Sequence, residues 1–561
     1  MPAAMNMNLS GRGKWRLRRW LPVFALASCA GWGLVFDASA QSATASEVLL
    51  QVRRYEIVGD NPLTGAEADA VLAPHLGEHR SLGTIEAAAN ALEARLRERG
   101  YSFHRVIVPA QKPAEGVVRL QVLRFPLATV QVSGNRHFSV ENVRRSLPGL
   151  LEGASPDVNE ISADLGLAND HPSKQVSIVL KESTRADALD AEVRVRDNAS
   201  SQWFLALAGN SRDHYNVIND NTGYTRLTLG YQNTNLMDRD HALTVTYTTS
   251  PDHADKVKQY GAFYWLPIYG YATSVQAYYT RSDVNTGNIG LGALSLNVSG
   301  RGEFAGIRVT RALARYGDIS HNVSLSYDDR KFSSNSDLSG LIGTQSQVQS
   351  RPVGLRYALR YEQLWGGVSA QVEHLTNVPG GSNNHDNAYF AARSCDPDRQ
   401  PCSTRDWRAM RYGVDASFSH DQWNFTARVR GQRSDQMLIQ GEQFGLGGAQ
   451  SVRGLRDREF IGDTGYTVQL EAAGPQVATA LRPVAFVDHG RAWLRHAVLA
   501  GTTIDRESVA SVGVGARWNP EPAMAAAFDL AYVINGMAST TQVAGTQRGD
   551  VRFTFNLFYR F

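Results

Sequence analysis

Beyond about residue 200, the chain alternates apolar and polar side chains in segments of roughly ten residues, separated by turns and longer polar loops. In "VGLRYALRYEQ", Val353, Leu355 and Tyr357 share one parity, whereas Arg356 and Arg360 have the other. Successive side chains of a β-strand point to opposite faces of the sheet. The pattern therefore predicts strands that each carry one apolar face and one charged face.

The charged face separates two classes of all-β fold. A soluble sandwich buries its apolar faces between two sheets, and it rarely needs so many aromatic side chains. The last segment, "DVRFTFNLFYRF", sets Phe553, Phe555 and Tyr559 against Arg552 and Arg560. These segments are about as long as a tilted membrane-crossing strand. The pattern indicates a transmembrane barrel with an apolar outer face and a watery, charged lumen.

The number of segments predicts the size of the barrel. Eleven candidate strands precede the segment "GGAQSVRGL" and five follow it, which gives sixteen. An even number is typical of bacterial barrels. "ALSLNVSGRGEFAGIRVTRAL" is counted as one strand with its preceding loop, although it could supply two. We predict an all-β barrel of 16 antiparallel strands over residues 199–561.

The preceding residues have a different pattern. Residues 41–125 contain a short N-terminal segment and then strand and helix signals in the order β-α-α-β-β. One helix, "SLGTIEAAANALEARLRERGY", places Leu92 and Leu96 on one face, and Gly100 can supply its left-handed cap. The same order recurs over residues 126–198, as a repeat of structure rather than of identical residues. Two small α/β modules in tandem are predicted.

Residues 1–40 have the composition of an export signal. Five basic residues are followed by an apolar run and by small residues at Ala38 and Ala40. This order is typical of a secretory signal peptide, cleaved here after Ala40. "LASC" also resembles a lipobox in which Cys29 would be lipidated, so that alternative stays open. Cleavage removes five positive charges and Asp37, so the net charge of +3 becomes 3 − 4 = −1, which argues against a nucleic-acid partner.

Two cysteines remain after such a cleavage. Cys395 and Cys402 lie close together in "SCDPDRQPCST". In an exported protein this spacing suggests a small disulfide loop. A zinc site is not expected, because the segment has no histidine and no second pair of ligands.

Motifs for catalysis are missing from the sequence. It contains no His-Glu-x-x-His, no Gly-x-Ser-x-Gly and no convincing cysteine–histidine arrangement. The glycines of "GGAQSVRGL" are not followed by the Gly-Lys-Ser/Thr of a phosphate-binding loop. We therefore predict that the protein is not an enzyme and needs neither a metal nor another cofactor.

Two short segments carry a family resemblance. The first is the tip of "GGAQSVRGL", formed by Val452, Arg453, Gly454 and Leu455; the second is "AFVDHG", with Phe486, Asp488 and Gly490. Together with the signal, the paired modules and a barrel ending in Phe561, they resemble the two-partner secretion transporters of TpsB type. This is the haemolysin secretion/activation family (ShlB/FhaC/HecB-like), within the superfamily of POTRA-plus-barrel outer-membrane proteins. The resemblance covers essentially the whole mature chain.

The resemblance implies that a loop at about residues 440–465 folds back into the barrel and that Arg453 meets the inner wall near Asp488. An arginine in the lumen needs a carboxylate, and its planar fork holds its orientation better than lysine would. Asp488 and His489 are adjacent on a strand, so only one can face inward. The other two motif residues share the parity of Asp488, which we therefore expect to face the lumen. Arg453 would then act as a latch.

The implied function is export across the outer membrane of a Gram-negative bacterium. The two modules would be periplasmic POTRA domains that capture an unfolded TpsA-type exoprotein, haemolysin-, adhesin- or haemagglutinin-like. The barrel would then export it without nucleotide. The alternatives are an insertase of outer-membrane proteins from the same superfamily and a general substrate channel.

The resemblance also suggests where partners bind. An exoprotein could add as a strand to a sheet edge along "SFHRVIVPA" or "QVSIVLKES". The candidate contacts there are Arg105, Ile107, Ile178 and Lys181. Phe561 would serve as the signal for the barrel-assembly machinery, and outer-membrane lipid would surround the barrel.

One feature departs from the family pattern. Many members carry a plug helix and a Pro-rich linker before the first POTRA module, but here only "QSATASEVLL" follows the predicted cleavage site. Ten residues are too few for both. We therefore expect the pore to lack a plug and to be closed mainly by the loop around Arg453 and by extracellular loops.

Overall fold

A computed structural model describes residues 50–561, apart from 114, 212–223, 284–286, 292–293, 299–300, 335–345, 394–401, 496–505 and 538–544. The chain divides into two compact units. The first contains the chain up to Ser133 with Pro148–Ser162 and Val176–Arg194; the second contains Gly134–Leu147, Ala163–Gln175 and Val195–Phe561. The expected signal peptide, the plug-free N-terminus and Cys395 lie outside the described residues, so those expectations remain predictions.

The first α/β module has seven named elements and a short 3₁₀ turn over Ala73–His75. These are β1 (Leu50–Val52), β2 (Arg54–Gly59), α1 (Gly65–Leu72), β3 (Gly77–His79), α2 (Leu82–Glu98), β4 (His104–Ile107) and β5 (Val117–Arg124). The sheet order is β2-β5-β4, with β2 parallel and β4 antiparallel to β5. Leu92 and Leu96 of α2 are buried against Leu120 of β5 in one apolar core. Gly100, at φ 99°, follows the helix in the left-handed conformation that glycine favours.

The second module repeats this arrangement. It consists of β6 (Leu127–Ser133), α3 (Val140–Arg145), α4 (Val158–Asn169), β7 (Lys174–Glu182) and β8 (Leu189–Asp197). Its sheet order is β6-β8-β7, with β6 parallel to β8. In each module the last strand is central, and β4 or β7 lies at one edge. The predicted order β-α-α-β-β is confirmed.

The described residues of the rest of the chain form strands and one short helix. They are β9 (Ser201–Asn210), β10 (Thr225–Leu236), β11 (His241–Thr249), β12 (Lys258–Ile268), β13 (Thr273–Ser282), β14 (Gly287–Leu291), β15 (Leu294–Val298), β16 (Gly302–Ala312), β17 (Ile319–Ser334), β18 (Ser346–Ser350), β19 (Pro352–Gln363), β20 (Gly366–Asn377), α5 (Asp386–Ala392), β21 (Arg408–His420), β22 (Trp423–Arg433), β23 (Phe444–Leu446), β24 (Phe460–Gly462), β25 (Thr464–Ala473), β26 (Leu481–Trp493), β27 (Arg506–Glu521), β28 (Met524–Asn535) and β29 (Val551–Arg560).

These strands form a closed antiparallel barrel in which β29 pairs with β9. β18 and β19 pair with β17 in one continuous register on either side of Arg351, so they act as a single strand. β14–β15 and β23–β24 form separate two-stranded pairs. The barrel therefore has sixteen strands, as predicted. The ambiguous segment supplies one barrel strand, β16, because its first part pairs with β14 instead.

Burial in the barrel is the reverse of that in a soluble protein. Apolar side chains of one parity are exposed, for example Leu355 at 57%, Val514 at 60% and Val551 at 57%. Buried side chains of the other parity are polar, and they include Thr228, Ser324, Asp328, Gln432, Thr467 and Asp529. Hydrocarbon is the environment in which such an outer face is stable. None of the helices in the described part of the chain is long and apolar enough to cross a membrane.

An arginine substitution tests this assignment of faces. Leu355 lies near the middle of the combined β18–β19 strand, so Leu355→Arg should destabilise the barrel in lipid vesicles by about 2–4 kcal/mol. The same change at Leu364, which is 74% exposed in the turn after β19, should cost only about 0–1 kcal/mol. Urea unfolding in vesicles measures both. Equal costs at the two positions would contradict a lipid-facing Leu355.

Candidate functional site

The segment between β22 and β25, residues 434–463, lies inside the barrel. We call it the inward loop. Its two short strands, β23 and β24, pair from Phe444↔Gly462 to Leu446↔Phe460. Leu446, Val452 and Leu455 are buried in one cluster with the wall residues Ala492, Val509 and Val533. Apolar packing therefore places the tip of the loop against β26, β27 and β28.

Arg453 at this tip binds Asp488 of β26 through three hydrogen bonds. Its Nε donates to Oδ2 at 2.7 Å, one terminal nitrogen donates to Oδ1 at 2.8 Å, and its backbone N–H donates to Oδ2 at 3.0 Å. Both residues are buried. The bidentate contact fixes the plane of the guanidinium group, which a lysine could not do. The structure thus brings together the two residues that the sequence analysis paired.

Three further charged residues surround Arg453. Glu471 of β25 accepts a hydrogen bond of 2.8 Å from its remaining terminal nitrogen, and Asp529 of β28 lies 3.7 Å from that nitrogen. Arg517 of β27 donates to Glu471 and to Asp529, at 2.7 Å each. The group contains two arginines and three carboxylates. Its net charge is therefore 2 − 3 = −1 when all are ionised.

Sequence reasoning did not identify Glu471, Arg517 or Asp529. Each has the inward parity of its strand, so alternation alone marks it as facing the lumen. Their common height in the barrel depends on the registers in which Gln469 pairs with Asp488 and Gly515 pairs with Asp529. Those registers follow from the tertiary fold.

Phe486 and Gly513 support the guanidinium from the wall. The centre of the Arg453 guanidinium lies 3.4 Å from the centroid of the Phe486 ring, a close cation–π contact. A Cβ on Gly513, which pairs with Phe486 across β26 and β27, would come within 2.2 Å of that ring. A glycine at this position is what lets the ring lie along the wall under Arg453.

Gly490, the last residue of the motif, makes room for the loop. A Cβ there would lie 2.7 Å from Leu446 and 2.9 Å from Val452. Within the loop, Gly448 and Gly454 have φ of 92° and 95°, which glycine adopts without strain. Asp488 therefore provides the charge, Phe486 the supporting ring and Gly490 the space.

Cys402 is described, but Cys395 is not, so the disulfide loop stays a prediction. The part of the chain that the structure describes contains no cluster of His, Cys, Asp or Glu able to hold a metal ion.

The candidate edge residues differ in what they expose. Arg105 and Ile107 of β4 are exposed, as is Lys181 of β7. Ile178 is only 1% exposed because its side chain packs in the core, so its backbone in the edge strand, and not its side chain, is available to an added strand. Substrate binding at these edges stays a prediction.

Glu192 of β8 is paired with two basic side chains of the second module. Its carboxylate accepts hydrogen bonds from Arg194, at 2.6 and 3.1 Å, and from Lys181 of the neighbouring edge strand. These bonds lower the pKa of Glu192 to about 2. Lys181 therefore has a carboxylate partner at any physiological pH.

Comparison with known proteins identifies the family of the chain. The model of the family "Haemolysin secretion/activation protein ShlB/FhaC/HecB" matches residues 192–518, and the model "POTRA domain, ShlB-type" matches residues 50–124. The outer membrane transporter CdiB of Escherichia coli is 23% identical over 448 residues, covering 78% of this chain and 71% of the relative.

Solved structures show the same fold. CdiB from Escherichia coli superposes with a TM-score of 0.67 at 17% identity, covering 94% of this chain and 93% of that chain. CdiB from Acinetobacter baumannii gives a TM-score of 0.64 at 15% identity, covering 91% and 90%.

The tandem modules, the closed barrel and the inward loop define a POTRA-plus-barrel outer-membrane protein with its POTRA modules in the periplasm. Within that class, the chain belongs to the haemolysin secretion/activation family ShlB/FhaC/HecB, whose model spans more than half of it. It is an outer-membrane transporter of the two-partner secretion type. Transporters of this family work with secreted exoprotein partners, and the family is not one of enzymes.

The role of Gly490 can be tested without altering the ion pair. Gly490→Val should push Leu446 and Val452 off the wall, because overpacking of this kind costs about 1–3 kcal/mol. The open probability of the purified pore in a planar bilayer should rise about five- to 150-fold. Ala485→Val, on the outer face of the same strand, is the control and should leave the pore closed. An unchanged pore in Gly490→Val would show that this contact does not seat the loop.

Proposed function

We propose that this transporter captures an unfolded exoprotein in the periplasm through its POTRA modules and exports it through the barrel without nucleotide. The exoprotein is of the haemolysin, adhesin or haemagglutinin-like kind. Arg453 is the latch that holds the inward loop in the lumen at rest. The observation that carries the proposal is the buried three-point contact between Arg453 and Asp488 at the tip of that loop.

Strand directions support a loop that enters from outside the cell. β9 begins directly after the second POTRA module, so its first residue lies at the periplasmic end. Turns at this end are short; the turn between β10 and β11, for example, consists of residues 237–240. The connection over 434–463 is at the opposite, extracellular end. A chain moving outward therefore meets the inward loop in the lumen and has to displace it.

The latch has the properties expected of a release point. Removing one partner of a buried ion pair costs about 3–5 kcal/mol, because the other charge is left uncompensated. The neighbouring carboxylates Glu471 and Asp529 keep a second partner in Arg517 when Arg453 leaves. When Arg453 leaves, Glu471 and Asp529 therefore stay paired, and fewer than the three carboxylates of the cluster lose their partner.

Capture by strand addition is proposed at the edge of β7 rather than of β4. The backbone N–H of Val106 in β4 already donates to Glu93 of α2 at 3.1 Å. A substrate strand on β4 would have to displace that carboxylate. At β7, Lys181 lies beside the edge and could contact side chains of an added strand, while the backbone supplies hydrogen bonds that tolerate many sequences.

The remaining partners follow from the ends and faces of the barrel. Phe561 exchanges backbone hydrogen bonds of 2.9 and 3.0 Å with Trp203 of β9, and its ring is exposed. We propose that this terminal aromatic residue is the signal read by the barrel-assembly machinery before β29 closes on β9.

The apolar outer face of the assembled barrel would then contact outer-membrane lipid. Folding of the exoprotein outside the cell would make export directional without nucleotide.

Secretion assays test the export function directly. The wild type should release the N-terminal fragment of the exoprotein encoded by the adjacent gene, deletion of residues 50–198 should abolish release, and Arg453→Ala should weaken it. Arg239→Ala, an exposed arginine in a periplasmic turn, is the control. Amounts of barrel in the membrane must be matched. Equal release by all variants would favour a general channel, and a fall of other barrel proteins on depletion would favour an insertase.

A second experiment distinguishes the two sheet edges. Glu93→Ala frees the N–H of Val106, and Glu98→Ala is the matched change on an exposed position of the same helix. If β7 receives the substrate, both variants should bind the purified exoprotein fragment with the affinity of the wild type. Tighter binding by Glu93→Ala alone would instead place capture at β4.

A further inference from the structure

We infer that the inward loop is held at a second point, where Glu442 meets Arg330 and Arg411, and that both points must release before the pore opens. Glu442 is thus a positioning residue that keeps the loop seated. This inference rests on the proposed function, because it adds a second anchor to the loop that the Arg453 latch holds.

Glu442 is a buried carboxylate in the inward loop with two arginine partners on the barrel wall. Its Oε2 accepts from a terminal nitrogen of Arg330 in β17 at 2.8 Å and from one of Arg411 in β21 at 3.1 Å. Glu442 is completely buried. A charge in such a place is stable only with good partners, so the loop gains its position from these contacts.

A network of wall residues orients both arginines. The second terminal nitrogen of Arg330 donates to Asp328 at 2.7 Å, and the Nε of Arg411 donates to Gln432 at 2.8 Å. Gln432 in turn donates through Nε2 to the backbone carbonyl of Glu442 at 2.9 Å. Hydrogen bonds from the wall therefore hold both the side chain and the backbone of Glu442.

The residues before Glu442 fit the same wall closely. A Cβ on Gly441 would lie 2.1 Å from the ring of Phe332, so the backbone rests directly on that ring. Leu438 and Ile439 are buried with Phe332 and Tyr389 in an apolar cluster. The inward loop therefore contacts this wall over an extended surface and not only through the ion pair of Glu442.

The two anchors lie on different stretches of the barrel wall. The Glu442 anchor uses β17 and β21, the seventh and tenth barrel strands, whereas the Arg453 anchor uses β25, β26 and β28, the twelfth, thirteenth and fifteenth. The anchors also have opposite polarity: the loop offers a cation to Asp488, Glu471 and Asp529, but an anion to Arg330 and Arg411. The loop is therefore tied to two stretches of the wall, and opening has to overcome both contacts, so weakening either one raises the fraction of open pores.

Conductance of the purified full-length protein in planar bilayers tests the second anchor, and it needs no exoprotein. Glu442→Gln keeps the shape of the side chain but removes its charge. It should raise the open probability at least about tenfold, because the hydrogen bonds from Arg330 and Arg411 then end on a neutral oxygen instead of a carboxylate. Glu362→Gln, at a 70% exposed carboxylate near the periplasmic end of β19, should behave as the wild type.

Arg411→Gln is a milder second variant, because Arg330 remains beside Glu442. It should shift the open probability in the same direction. Combined with Glu442→Gln it should add little, since the two residues act through one contact. Heat-modifiable migration on gels checks that each barrel is folded. A purely structural role would lower the amount of folded barrel without opening the pores that do fold.

The outcomes separate this inference from the proposed function. If Arg453→Ala opens the pore but Glu442→Gln and Arg411→Gln leave it closed, the second anchor is overturned and the latch stands. If none of the three opens it, gating by the inward loop fails as a whole. Export itself is judged separately by the secretion assay.

Discussion

The hydrogen bonds between β29 and β9 close the barrel, and the other features depend on that closure. In hydrocarbon, an unpaired backbone N–H or C=O has no water to bind, so a membrane sheet cannot leave an edge open. The register that pairs Leu557 with Leu207 and continues to the contact of Phe561 with Trp203 satisfies this requirement. Once the ring is closed, every strand has one face toward the outside of the barrel and one toward an enclosed lumen.

The enclosed lumen explains why a transport protein can carry so many inward charges. Charges there are neither in hydrocarbon nor fully in bulk water, so they are stable mainly in pairs. Arg453 and Glu442 use this property on different stretches of the wall, with opposite sign. A single loop can therefore be held firmly at rest while offering two contacts that a passing chain could replace.

A local period of two residues was sufficient to predict the strands, their number and their faces. It also decided that Asp488 rather than His489 points inward, because neighbouring residues on a strand point to opposite faces. It did not show that Ile178 is buried in the core, since an edge strand of a small α/β module still packs one face on its helices. Nor did it reveal that Glu93, on a helix, occupies the N–H of Val106 on the edge strand.

By itself, the sequence determined the two-part architecture, the sixteen strands and the residues able to form the Arg453 contact, because alternation and the short motifs are local properties of the chain. Only the tertiary structure decided which charges share one height in the lumen. Glu442 and Arg330 are 112 residues apart, and Glu471, Arg517 and Asp529 lie on three different strands. Strand register and closure bring such residues together, and neither is encoded in the pattern of any one segment.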